Sequence, residues 1–98
     1  MKVKFHPEAL VEFEEAALFY EQQRAGLGGR FVSAVEAAIL GIQETPRRFP
    51  IFEEDVRRRL VRVFPYVILY AIEQKSIVVL AVMHAHQKPL YWRPRTSN

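Results

Sequence analysis

The first half of the chain carries one short strand pattern followed by two helical patterns. Polar and apolar residues alternate from Lys2 to Phe5, which predicts a strand, and Pro7 then suits the first turn of a helix. Apolar residues recur at helical spacing in two segments. They are Leu10, Phe13, Ala17 and Tyr20 in the first segment and Phe31, Val35, Ala38, Ile39 and Ile42 in the second. Three glycines between positions 26 and 29 separate the segments, so an antiparallel helical hairpin is predicted.

The second half is typical of strands. Residues 46–56 hold two prolines and no steady period, which predicts an irregular connection. Strands are predicted over 58–64, 67–73 and 77–84, and residues 74–76 are short enough to make the last two strands a hairpin. The near-continuous apolar run from Ile77 to Met83 is typical of a central strand covered on both faces. The pattern leaves the order of strands in the sheet open.

These elements predict an α+β fold. Their order is β-α-α-β-β-β, with the helical hairpin packed on one face of a mainly antiparallel sheet. With 98 residues, the chain is expected to form a single domain over residues 1–98.

Composition limits the covalent and metal sites that the domain can have and the compartment in which we expect it. The sequence has no cysteine, which excludes disulfides and thiolate metal sites. It has no apolar run of about 18 residues that could span a membrane, and no apolar block after its basic first residues that would indicate a secretory signal. We therefore expect a cytoplasmic protein without a membrane partner.

Charge is divided unevenly along the chain. The net charge of +3 combines an acidic half, residues 1–45 with four Lys/Arg against seven Glu, and a basic half, residues 46–98 with ten Lys/Arg against four Asp/Glu. Such asymmetry indicates an acidic partner, either nucleic acid or protein, although a solvated surface without a partner has the same composition.

Three segments carry a family resemblance through their order and spacing. They are Phe64-Pro65-Tyr66-Val67-Ile68-Leu69-Tyr70, the run Ile77–Val82 that leads to His84, and Trp92 shortly after it. The chain resembles the RelE/ParE toxins of type II toxin-antitoxin modules, and more closely the ParE (plasmid stabilisation) branch. The resemblance implies the same order of elements and a non-enzymatic toxin that inhibits DNA gyrase. It also implies a cognate antitoxin that binds the toxin in a hetero-oligomer, and no cofactor.

Arginines are the first candidates for contact with a target. On a strand over 58–64, Arg58 and Arg62 share one face, and guanidinium groups clamp phosphates or carboxylates through paired hydrogen bonds. A strand edge protected by charge is the competing interpretation, and the sequence does not separate the two.

Histidines and the aromatic tail supply the remaining candidates. His84 and His86 lie two residues apart and suit a structural or partner-contact role better than a metal site, since zinc needs a third ligand and only His6 and scattered carboxylates remain. Tyr91 and Trp92 lie among cations, which suits base stacking, or they fold back over the sheet edge as core. The full set of predicted target-binding residues is Arg58, Arg62, His84, His86, Lys88, Tyr91, Trp92 and Arg93.

Two alternative functions stay open. A RelE-like, ribosome-dependent mRNA endonuclease would need a base, an acid and cations around the phosphate, and Arg58, Arg62, His84 and Tyr91 are the residues that could supply them. The tail from Pro89 to Trp92 resembles ParE instead. The third possibility is a non-toxic binding partner with the toxin fold.

Overall fold

The computed structural model describes residues 1–87 and 90–96. These residues form five strands, two α-helices and a short 3-10 helix over Arg93–Arg95. In chain order the elements are β1 (Lys2–Phe5), α1 (Pro7–Gln23), α2 (Leu27–Glu44), β2 (Ile51–Glu53), β3 (Val56–Leu60), β4 (Tyr66–Glu73) and β5 (Ser76–His84).

One sheet contains all five strands, in the order β1-β5-β4-β3-β2. β1 pairs with β5 in parallel, and every other pairing is antiparallel. The α+β class, the element order and the helical hairpin on the sheet are therefore confirmed. β5 lies between β1 and β4 with most of its side chains buried, as the run Ile77–Met83 predicted.

Two strands in the basic part of the chain differ from the prediction. The connection predicted as irregular contains β2, a short edge strand that pairs with β3. β3 covers Val56–Leu60 and not 58–64. The strand stops because the chain turns: Val61 donates its N–H to the carbonyl of Tyr66, and Val63 has a positive φ of 75°. The alternation of basic and apolar residues continues through this turn, which is why the sequence pattern extended the strand too far.

The helical hairpin has a shorter turn than its glycines predicted. Gly28 and Gly29 lie inside α2, and only Gly26, with a φ of 89°, uses the left-handed region that favours glycine. The carboxylate of Glu21 accepts hydrogen bonds from the N–H groups of Gly26 and Gly28 at 3.0–3.1 Å. The Glu21 side chain, from α1, therefore satisfies N–H groups at the start of α2, as an N-cap residue usually does. Its negative charge also interacts favourably with the positive end of the helix dipole.

Core residues lie on both faces of the sheet. On the helix side, fully buried residues from α1, α2 and the sheet pack together, with Phe31, Ile68 and Tyr70 among the largest. The α1 stripe is shifted from the prediction: Ala9 and Ala16 are buried, whereas Leu10 is 42% exposed. On the opposite side, which we call the second face, Val56, Val67, Leu69, Ala71, Leu80, Ala81 and Trp92 form a separate cluster.

Candidate functional site

One part of the candidate site lies at a β-bulge in β5. Leu69 is paired with Ala81 and Tyr70 with Val79, so Leu80 is an extra residue in the ladder. Two side chains bind the backbone groups that flank the bulge. The Val82 N–H donates to Oε1 of Glu12 at 3.0 Å, and Nη1 of Arg95 donates to the Leu80 carbonyl at 3.0 Å.

Glu12 joins this bulge to the C-terminal segment. Its Oε2 accepts the hydroxyl proton of Tyr91 at 2.6 Å and lies 2.9 Å from Nη2 of Arg95. The Arg95 guanidinium also lies 4.9 Å from the centre of the Tyr91 ring. Burial, followed by the hydrogen bond to Glu12, raises the pKa of the Tyr91 hydroxyl well above its usual range. The predicted target-binding residue Tyr91 is thus held in an internal network.

Trp92 lies in the core. Its side chain is 1% exposed within the cluster on the second face, and its ring centre lies 6.2 Å from that of Phe52. The structure therefore has Trp92 folded back over the sheet, which was one of the two interpretations of the tail, and it is not an exposed platform for stacking bases. Within the described residues, its buried Nε1 has no hydrogen-bond partner.

Arg93 and Arg58 lie at the border of the cluster on the second face. Arg93 forms an ion pair with Glu53 of β2, with Nε 2.6 Å from Oε2. Arg58 is exposed, with its guanidinium 6.0 Å from the centre of the Phe52 ring. A shallow cleft of about 280 Å³ lies beside it, lined by Phe52, Arg58, Val67, Leu69, Met83, Ala85, Gln87 and Trp92. Among the described residues of that lining, Arg58 is the one that is ionisable.

The two histidines lie at the end of β5. His84 is paired with Tyr66, and their ring centres are 5.3 Å apart on the helix side of the sheet. Nδ1 of His84 accepts the backbone N–H of His86 at 3.1 Å. His84 and Tyr91 both line a cleft against α1, whereas Arg58 lies on the second face. Lys88, another predicted contact residue, lies outside the described residues.

Arg62 lies in a third place, in the turn between β3 and β4. It lines a groove of about 620 Å³ between α2 and this turn, which we call the arginine groove. Four arginines border it: Arg24, Arg30, Arg59 and Arg62. Its remaining lining is Leu27, Ser33, Ala34, Ala37, Ala38, Val63 and Phe64.

Three of these arginines were not among the site residues predicted from the sequence. Arg24 and Arg30 belong to the acidic half of the chain, and on a strand over 58–64 the alternation of side chains would put Arg59 on the face opposite to Arg62. A sequence signal does exist in α2, where Arg30, Ala34, Ala37 and Ala38 recur at helical spacing as a stripe of small residues behind an arginine. Nothing in the pattern shows that the turn at Arg62 packs beside it.

A metal centre has no ligand set in the part of the chain that the structure describes. No three His, Asp or Glu side chains of that part lie close enough together to hold an ion. Likewise, neither helix is long and apolar enough to cross a bilayer, judged over the described residues.

Comparison with known families agrees with this fold. Residues 3–89 match the family model described as the ParE toxin of the type II toxin-antitoxin system, parDE. The chain belongs to the ParE toxin family. The resemblance to the ParE branch is therefore confirmed, and the chain is a member of a family of toxin-antitoxin toxins.

A solved structure shows the same architecture. The chromosomal ParDE TA system from P. aeruginosa contains a chain that is similar with a TM-score of 0.64 and 14% sequence identity, covering 86% of this chain and 95% of that one. At that identity the likeness concerns the fold. No curated protein matches the chain by sequence.

Proposed function

We propose that this chain is a cytoplasmic toxin that binds and inhibits DNA gyrase and that a cognate antitoxin holds it inactive in a hetero-oligomer. The observation that carries the proposal is the family match over residues 3–89. The similarity to a chain of a ParDE system supports the antitoxin as a partner, because that protein is described as part of a toxin-antitoxin assembly.

We place the contact with gyrase on the second face, around Arg58. Arg58 is exposed beside a cleft whose described lining residues include no acidic one, and the neighbouring apolar side chains of Phe52 and Leu60 are also exposed. Arginine and aromatic residues are enriched at protein interfaces, and arginine is among the residues that contribute most of the binding energy there. Arg93 lies at the border of the same face, although its charge is engaged by Glu53.

The nuclease alternative receives less support from the geometry. Arg58 and His84 lie on opposite faces of the sheet, and Arg62 lines the arginine groove. The Tyr91 hydroxyl already donates its proton to Glu12. General acid-base catalysis needs its groups within hydrogen-bond reach of one substrate, so these four side chains would have to move substantially to act together.

The deciding experiment is pulse labelling of new DNA and new protein in bacteria just after induction of this chain without its antitoxin. We expect DNA synthesis to fail first and the purified chain to inhibit supercoiling by gyrase in vitro. If protein synthesis fails first, with mRNA cut on ribosomes, the nuclease alternative replaces the proposal. If neither process falters, the chain is a non-toxic binding partner.

A matched pair of variants tests the placement on the second face. Arg58→Ala should weaken inhibition of gyrase about tenfold or more, the scale on which an interface arginine contributes. Lys2→Ala removes the same charge at the far edge of the sheet and should inhibit like the wild type. Equal inhibition by all three proteins would contradict this placement but not gyrase as the target.

A further inference from the structure

The arginine groove is one end of a longer band of positive charge. Arg59 of the groove has its guanidinium 4.8 Å from the centre of the Phe49 ring, and the guanidinium of Arg48 lies 5.9 Å from the same centre. Arg57 shares this face of β3 with Arg59, and it donates to the Arg47 carbonyl at 2.9 Å. We call the whole surface the arginine band, which consists of Arg24, Arg30, Arg47, Arg48, Arg57, Arg59 and Arg62.

The charge of the arginine band is not neutralised by the described part of the chain. The ion pairs among the described residues involve Arg93 and Arg95, and none of them includes an arginine of the band. The described lining of the arginine groove contains no acidic residue either. Positive charge concentrated on one side of a small domain is the electrostatic signature of a surface that binds a polyanion.

The backbone beneath the band is fixed by hydrogen bonds to the sheet. The buried Tyr70 donates its hydroxyl proton to the Pro46 carbonyl at 2.6 Å, and Nη1 of Arg57 donates to the Phe49 carbonyl at 2.7 Å. These bonds tie the turn that follows α2 to β3 and β4. The arginines of that turn and those of β3 therefore stay on one side of the molecule, so little freedom of the backbone is lost when a partner binds them.

The band suits contact with phosphates better than contact with bases. Unpaired bases are usually held by stacking on exposed aromatic faces. The ring of Phe49 packs with arginines of the band, and that of Phe64 packs edge-to-face on Tyr20 and Phe31, with centres 4.9 and 5.2 Å apart. Guanidinium groups bind phosphate oxygens through paired hydrogen bonds, and such contacts carry no sequence information. A duplex, with its bases stacked inside and its phosphates outside, matches this surface.

From these observations we infer that the arginine band binds the phosphate backbone of duplex DNA without reading its sequence. The choice of duplex DNA rests on the proposed function, because gyrase acts on duplex DNA. Arg58 lies on the opposite face of β3 from Arg57 and Arg59. The toxin would thus contact gyrase through the second face and the DNA that gyrase holds through the band.

The test measures, by fluorescence anisotropy, the affinity of the purified chain for a labelled DNA duplex of mixed sequence at several salt concentrations. We expect the logarithm of the affinity to fall against the logarithm of the salt concentration with a slope of about −4 or steeper, because each neutralised phosphate contributes about −0.9. The band variant, Arg47→Ala with Arg62→Ala, removes two exposed guanidinium groups. It should weaken binding about tenfold or more and make the slope shallower by about 2.

Two control variants separate the band from charge in general. Arg47→Lys with Arg62→Lys keeps both charges and should keep the slope of the wild type. Lys2→Ala with Lys4→Ala removes two exposed charges from β1. Because Val3 and Phe5 pack on the helix side, the side chains of these lysines face the other side of the sheet, away from α2. This variant should bind DNA like the wild type.

The results that overturn the inference differ from those that overturn the proposed function. If the wild type does not bind duplex DNA at low salt, or if the band and β1 variants lose affinity equally, the band is not a DNA-binding surface. Inhibition of gyrase by the same preparation would then leave the proposed function standing. Tighter, band-dependent binding of RNA or single-stranded DNA of the same length would replace duplex DNA with that polymer. Band-dependent binding of the duplex without inhibition of gyrase supports the inference and removes gyrase as the target.

Discussion

At the scale of the residue, Glu12 does the most to bind distant parts of the chain together. Its carboxylate accepts hydrogen bonds from the Val82 backbone and the Tyr91 hydroxyl and pairs with Arg95. Glu12 and Arg95 have side chains that are 21% and 9% exposed, so the pair is largely shielded from solvent. Loss of one member would leave a partly shielded charge or hydrogen-bonding group without its partner, which is why such networks are sensitive to single substitutions.

Tyr91→Phe should make the free energy of unfolding less sensitive to alkaline pH. Burial and Glu12 raise the pKa of Tyr91 in the folded chain, whereas the unfolded hydroxyl ionises near its ordinary value of about 10. Below about pH 10 both states keep the proton, and above it the unfolded chain loses a proton that the folded chain keeps. Stability of the wild type therefore falls as pH rises from about 10 toward the folded pKa, by up to about 1.4 kcal/mol per pH unit more than in the variant.

Urea denaturation between neutral pH and pH 11.5 checks this expectation. Tyr20, Tyr66 and Tyr70 also have raised pKa values through burial, but they are common to both proteins and cancel in the comparison. At neutral pH the variant should be less stable by about 1.5–2 kcal/mol, because it lacks a hydrogen bond to a carboxylate. Parallel pH profiles for the two proteins would show that Tyr91 is not protected in the folded chain.

At the scale of the element, the helical hairpin depends on one close approach. A Cβ at Gly28 would lie 2.6 Å from the carbonyl oxygen of Ala17 and 2.8 Å from Cβ of Glu21. The absence of a side chain therefore lets the start of α2 contact α1, where Glu21 binds its free N–H groups. Of the glycines predicted to form the turn, Gly28 thus allows α2 to pack closely against α1.

Gly28→Ala and Gly29→Ala should change stability in opposite directions. Gly28→Ala forces α1 and α2 apart and should lower the free energy of unfolding by about 1–3 kcal/mol, the usual cost of overpacking. Gly29 has no atom within 4 Å of an added Cβ, so Gly29→Ala should raise the free energy by up to about 1 kcal/mol through helix propensity. Denaturant unfolding measures both changes, and equal effects of the two substitutions would contradict the close contact.

At the scale of the whole molecule, the sheet is covered on both faces by different parts of the chain. The helical hairpin covers one face, and the C-terminal segment with Trp92 covers the second. A chain of 98 residues has a limited core, so the second cluster should account for a large part of a total stability of about 5–15 kcal/mol. The two covers also leave the basic surfaces separate, with Arg58 on one side and the arginine groove on the other.

Trp92→Ala should therefore weaken the whole fold. Loss of a buried tryptophan costs about 3–5 kcal/mol, whereas Trp92→Phe keeps much of the ring and should cost about 1–2 kcal/mol. Circular dichroism during denaturation gives both values. Trp92 is the only tryptophan in the sequence, so the fluorescence of the wild type reports its surroundings directly. Native emission typical of exposed indole, or a negligible effect of Trp92→Ala, would contradict the buried position.

Local periodicity was sufficient for most of the fold. The strand Lys2–Phe5, the two helices and the β4–β5 hairpin follow from spacing of apolar residues, because each pattern depends on neighbours within a few positions. The end of β3 did not follow, since alternation continues past Leu60 while the backbone turns. The bulge at Leu80 could not be predicted either, because an unbroken apolar run has the same pattern with or without an extra residue.

The candidate sites were also predicted from the sequence only in part. From the sequence alone came the element order, the family resemblance, the basic second half and Arg58 as a candidate contact residue. The tertiary structure decided that Trp92 is core, that Tyr91 is bound to Glu12, and that four arginines from both halves of the chain border one groove. Residues 24, 30, 59 and 62 belong to four different segments, and only the packing of α2 against the β3–β4 turn brings their charges around a common apolar floor.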